Sequence, residues 1–145
     1  MSILTKEKVM LNAKAKDKFE AIRIAGQLLV DAGHADQKYI DKMIEREQSL
    51  STYMGGGLAI PHGTNDSKAL VNSTGMSIVQ LAEGVDFGEG ELAYLLVGIA
   101  SSGDEHLDIL TNVATVCSDD DNLETILQAS TPDEIIAIFS NGEES

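Results

Sequence analysis

Two short runs of this chain hold residues able to do chemistry, Ala59-Ile60-Pro61-His62-Gly63 and Asp104-Glu105-His106, and each sets a histidine just after an apolar stretch. Neutral imidazole is nucleophilic at pH 7 and is also a good enough leaving group to give up what it has accepted. That pairing suits a covalent relay of phosphoryl groups better than a serine does. Phosphoryl transfer asks a protein mainly to position the reactants and to stabilise charge on the phosphoryl oxygens. Arg46 and His106 are the available donors for that task. Pro61 and Gly63 fix the approach of the chain to His62 and leave one face of its ring uncovered. Backbone N–H groups from Gly63 to Asn65 could add an anion cradle if they open a short helix.

Several other chemistries are excluded. Gly55-Gly56-Gly57 is too short for a nucleotide phosphate loop of the form Gly-x-x-x-x-Gly-Lys-Ser/Thr and lacks its lysine, so ATP is not the expected phosphoryl source. Two histidines without matched carboxylate spacing make a poor zinc site, and Asp119-Asp120-Asp121 reads as a solvated, capped turn. No metal or cofactor is expected. His34, in a turn after Gly33, reads as a solvated loop histidine, and Cys117 as a small buried residue at helical spacing from Leu110, Val113 and Ala114. On residue type alone, His106 reads as a helix-start residue bonded only to structure, and Arg46 as one half of a surface ion pair with a neighbouring glutamate, worth at most about 1 kcal/mol.

The elements that must position these groups follow from periodicity. Residues 17–32 read as an amphipathic helix through Phe19, Ile22, Ile24, Leu28 and Leu29, capped by Asp17 and stopped by Gly33. A second helix over about 37–48 repeats the period through Tyr39, Ile40, Met43 and Ile44 and delivers Glu45-Arg46-Glu47 in its last turn. Met54 to Gly63 is a glycine hinge, a short apolar strand and a proline stop, which leaves His62 at the end of a buried strand. Strands are expected at about 75–82 and 92–100, with the Val85-Asp86-Phe87-Gly88 turn between them adding a short strand or hairpin. Helices follow over 104–118, 122–129 and 132–140, capped by Asp104, Asp121 and Thr131 with Pro132 in a first turn, and residues 142–145 form a frayed tail. The resulting fold class is α/β, a three-layer sandwich with a mixed β-sheet flanked by helices on both faces. In such a domain ligands meet groups at the carboxyl ends of strands, so His62 and His106 are expected to converge on one cleft.

At 145 residues and 43% hydrophobic content, residues 1–145 are expected to form a single domain. The 24 acidic and 10 basic side chains give a formal charge of −14, which repels nucleic acid and anionic membrane surfaces. The N-terminus lacks the apolar region of a signal peptide, and no stretch approaches the roughly 20 apolar residues that span a bilayer. With a single cysteine, these features point to a soluble protein of a reducing, cytoplasmic compartment, with no direct membrane insertion.

Glu47, six residues, Met54-Gly55, two residues, then Leu58-Ala59-Ile60-Pro61-His62-Gly63 resembles the active-site signature of the fructose/mannitol class of enzyme IIA of the bacterial phosphoenolpyruvate-dependent sugar phosphotransferase system. The similarity extends through Glu20-Ala21-Ile22, Gly26, Glu83-Gly84-Val85, Phe87-Gly88, Val97-Gly98-Ile99-Ala100 and Glu105-His106, segments most similar to the mannitol-type members. Gly56 departs from the polar residue that many members carry. The resemblance implies that His62 is phosphorylated by the phosphohistidine of the carrier HPr and passes the group to a cysteine of the IIB component of a membrane permease. It also implies that Arg46 and His106 surround the phosphorylated histidine as catalytic residues. The alternative within the resemblance is a nitrogen-type regulatory module that binds partner proteins according to the phosphorylation of His62.

Overall fold

In the computed structural model, which describes residues 4–101 and 105–144, strand β5 (Leu92–Ala100) and strand β4 (Gly75–Asp86) form the antiparallel centre of a five-stranded mixed sheet. β1 (Val9–Ala13) pairs parallel with β4 on one side. On the other side β3 (Leu58–Ala59) pairs parallel with β5, and β2 (Tyr53–Gly55) closes an antiparallel hairpin onto β3, so the spatial order is β1-β4-β5-β3-β2.

Both faces of the central strands are buried, and side-chain alternation sorts them into two cores. Val79, Leu81, Leu96 and Ala100 point to the layer of α1 (Lys18–Asp31) and α2 (Lys38–Ser49), where they meet Ile22, Ala25, Leu29 and Met43. Met76, Ile78, Leu95, Val97 and Ile99 point to the layer of α3 (Glu105–Ser118), α4 (Asp120–Gln128) and α5 (Pro132–Glu144), where they meet Val113, Ile126, Ile135 and Phe139. The three-layer sandwich expected from the sequence is therefore the one observed. Cys117 belongs to the second core, and burial pushes its thiol up to about 12.

Local chemistry explains the boundaries. The Asp17 carboxylate accepts from Glu20 N at 2.9 Å and caps α1 as expected. α1 and α2 cross closely at Gly26, where an added Cβ would lie 2.8 Å from Ile40 Cγ1 and 3.0 Å from Met43 Sδ. α4 is capped by Asp119, not Asp121: its carboxylate accepts from Asp121 N and Asn122 N, so the helix starts two residues earlier than its apolar pattern suggests. The expected cap Asp104 lies outside the described residues. α5 opens on Pro132 and runs to Glu144, past the expected end at 140 and into the segment expected to fray; Ser145 lies outside the described residues. β1 and β2 were not expected, and β4 continues to Asp86 before a tight hairpin returns the chain to Leu92.

Candidate functional site

The site begins with the way β3 ends. Ile60 N donates to Thr52 O at 3.0 Å, Pro61 has no N–H to offer, and its carbonyl instead accepts from Ile99 N at 3.0 Å. His62 then forms a parallel bridge with Ile99 at the carboxyl end of β5. Proline thus withdraws its own donor from the ladder and hands the next position to the histidine.

The half-buried His62 ring is oriented by its own strand. Nδ1 lies 2.8 Å from Ile60 O, and because a carbonyl only accepts, Nδ1 carries the proton. In the neutral ring the lone pair is then on Nε2, the nitrogen farther from the backbone. Gly63 follows with its N–H donated to Tyr39 Oη at 2.9 Å. That amide is therefore committed to α2 and does not serve the anion cradle expected from the sequence. The short 3-10 turn at Asn65–Leu70 is held by its own contacts: Thr64 Oγ1 donates to the Asp66 carboxylate, and with Lys42 nearby this keeps Asp66 below the usual carboxylate range. An added Cβ at Gly63 would sit 2.5 Å from both Ser67 Oγ and Tyr39 Cε1, so glycine is required by close approach.

Arg46 lies in the last turn of α2, half-buried, and its Nη1 donates to Leu50 O at the end of that helix instead of pairing with a neighbouring glutamate. Next to it, Glu47 is 3% exposed and acts as an anchor that residue type alone did not reveal. Its carboxylate accepts from Thr52 N at 2.8 Å and Thr52 Oγ1 at 2.7 Å, and Lys18 Nζ lies 3.3 Å away. Since Thr52 O in turn holds Ile60 N, Glu47 ties the Arg46 end of α2 to the strand two residues before His62. His106 is the second residue of α3, which opens just after β5 has passed His62; its side chain lies outside the described residues.

Other readings change. His34 is not a solvated loop residue: it is half-buried, with Nε2 2.6 Å from Lys8 Nζ and Nδ1 2.9 Å from Ser73 Oγ. Asp119, Asp120 and Asp121 are exposed around a helix cap, as a solvated turn should be. Among the described residues no group of His, Cys, Asp and Glu could hold a metal ion, and no helix is long and apolar enough to cross a membrane. Leu58 is buried, while the exposed apolar side chains on the approach to the site strand are Leu50 and Met54, 67% and 57% exposed.

Residues 2–142 match the family described as phosphoenolpyruvate-dependent sugar phosphotransferase system, EIIA 2. The chain belongs to this family. It is 51% identical over 140 residues to the mannitol-specific phosphotransferase enzyme IIA component of Geobacillus stearothermophilus, covering 97% of each chain. Identity to the component of the same name from Bacillus subtilis (strain 168) is 47% over 140 residues, covering 97% of this chain and 98% of that one. The fold is similar to that of mannitol enzyme IIA from Escherichia coli, solved in complex with phosphorylated enzyme IIB, with a TM-score of 0.90 and 35% identity over 95% of this chain and 97% of the other. The signature Glu47 to Gly63 thus combines a buried anchor, a hairpin and a strand end that together aim one imidazole.

Proposed function

We propose that this chain is a cytoplasmic phosphocarrier that accepts a phosphoryl group from phospho-HPr on His62 Nε2 and passes it to a cysteine of the IIB component of a mannitol, or related polyol, permease. The observation that carries the reading is the bond from His62 Nδ1 to Ile60 O, which puts the nucleophilic lone pair of the neutral ring on Nε2, the nitrogen farther from the backbone. In the first step the Nε2 lone pair forms a new N–P bond as the N–P bond to the donor's imidazole breaks. In the second the acceptor thiolate forms an S–P bond as the bond to His62 breaks, and the imidazole returns to its starting state. Arg46 and His106 act in this scheme as donors to the phosphoryl oxygens. The names of the relatives at 51% and 47% identity favour transport of mannitol over a nitrogen-type regulatory role.

Incubation with phosphoenolpyruvate and the general phosphotransferase components, followed by addition of candidate IIB proteins, tests the reading. The expected label is acid-labile and base-stable, absent in His62→Ala, and discharged to a mannitol-type IIB. Acid-stable label, or label retained in His62→Ala, would overturn it.

A further inference from the structure

Tyr39 is a buried side chain, 3% exposed, in the first turn of α2. Its neighbours Ile40 and Met43 serve the helix core, and a phenylalanine would fill the same space. The hydroxyl has another task. It accepts from Gly63 N at 2.9 Å and donates to Ile99 O at 2.9 Å. The directions are fixed, because the amide can only donate, the carbonyl can only accept, and the phenol has one proton.

Those two partners are the backbone groups that flank His62. Ile99 is the residue that His62 bridges across the sheet, and Ile99 N already holds Pro61 O. A closed circuit results: Pro61 O to Ile99 N, Ile99 O to Tyr39 Oη, Tyr39 Oη to Gly63 N. The peptide before His62 and the peptide after it are both clamped. With Nδ1 tied to Ile60 O, the direction of Nε2 is then determined by the backbone and not by a freely rotating side chain. Burial raises the phenol above its ordinary value, so the hydroxyl keeps the proton that the Ile99 bond needs across physiological pH.

We propose that Tyr39 is a positioning residue for phosphoryl transfer at His62, holding the strand end so that the ring keeps one tautomer and one direction while partners exchange. The inference rests on the phosphocarrier reading above. Tyr39 also stands on the helix that carries Arg46, two turns away at about 10 Å along the axis, so the same bond registers that guanidinium against the histidine.

Tyr39→Phe in the full chain tests this, with three readouts: urea unfolding, rapid-mix phosphorylation by phospho-HPr, and ring-nitrogen NMR of unphosphorylated His62. Misplacement of a reacting atom by about 1 Å can cost on the order of 100-fold, so a 10- to 100-fold slower transfer at equal folded fraction is expected. The ring spectrum should change from a single Nδ1–H tautomer to a mixture. Wild-type rate and wild-type tautomer, with only stability reduced, would overturn the proposal. If Tyr39→Phe does not fold, 3-fluorotyrosine at position 39 weakens the hydroxyl as an acceptor while keeping both bonds, and the tautomer mixture and a smaller rate loss are expected there; no change in either would also overturn it. If the wild-type chain itself takes no label from phospho-HPr, the phosphocarrier reading fails, yet the tautomer measurement still decides whether Tyr39 orients the ring.

Discussion

Nζ of Lys8 lies 2.6 Å from Nε2 of His34, although 26 positions separate the two residues. Burial pushes the His34 imidazole below its ordinary value, and the adjacent lysine charge acts in the same direction. Burial lowers Lys8 as well, while Glu7 opposes both shifts. A depressed folded value means that the folded chain resists a proton the unfolded chain takes up. The His34 contribution to stability is therefore complete above the unfolded value near 6.5 and is lost as the pH falls below it. The Lys8 contribution has the same sign but belongs to the alkaline range below its ordinary value of 10.5. The urea midpoint should fall as the pH drops below about 6.5, and Lys8→Met should make that fall shallower by removing the like charge. An unchanged slope in the variant would show that the lysine does not act on His34.

Gln80 links strand β4 to β1 and to the end of α4. Its Oε1 accepts from Asn12 N at 3.0 Å, and its Nε2 donates to Ile126 O at 2.9 Å and Ala129 O at 3.1 Å. The side chain is buried, so Gln80→Leu keeps the volume but takes this partner from Asn12 N and Ala129 O, while Ile126 O keeps the Ala129 N–H. Each backbone group left unsatisfied costs about 1–3 kcal/mol, and the loss should appear in denaturant unfolding without a change in the His62 ring spectrum. A variant as stable as wild type would mean that water replaces the amide.

The layers were legible in the sequence because β4 and β5 are long apolar runs and the helices keep their period. β1 was not, since its alternation breaks at Asn12, which sits at φ 52°, and β2 was not, since a three-residue strand ending in glycine has no period to read. His62 and Arg46 were legible as residue types at a strand end and a helix end. The role of Tyr39 was hidden because it read as one more apolar position of a helix, and its hydroxyl partners lie 24 and 60 positions away. Glu47 was legible only as a spacing; its anchoring of Thr52 needs the return of the chain through β2 and β3.

Gly63→Ala is expected to harm both stability and transfer. The new methyl would press on Ser67 Oγ and the Tyr39 ring at 2.5 Å, distances at which one of them must move. Overpacking of this kind costs about 1–3 kcal/mol. Because the Tyr39 ring cannot shift without loosening its bond to Gly63 N, phosphorylation should slow even where the protein is fully folded. Rapid-mix labelling beside urea unfolding separates the two effects. Transfer at the wild-type rate would show that the site tolerates the displacement.

Arg46 and His106 separate by what each can give to a phosphoryl group in flight. Charge spreads over its equatorial oxygens, and loss of one preorganised donor at such a site costs about 2.7–4 kcal/mol, or on the order of 100- to 1000-fold in rate. His106→Ala should therefore slow transfer strongly while His62 remains phosphorylatable. Arg46 carries a permanent charge on a planar fork, one arm of which is held by Leu50 O, so its removal should weaken both the transfer step and the hold on the phosphorylated state. Arg46→Lys should recover only part of the rate, because an ammonium, although it has three N–H donors, cannot span the Leu50 carbonyl and a phosphoryl oxygen as the rigid planar fork does. Rapid-mix phosphorylation by phospho-HPr decides: if Arg46→Lys and His106→Ala, both folded, transfer at the wild-type rate, His62 works with other groups.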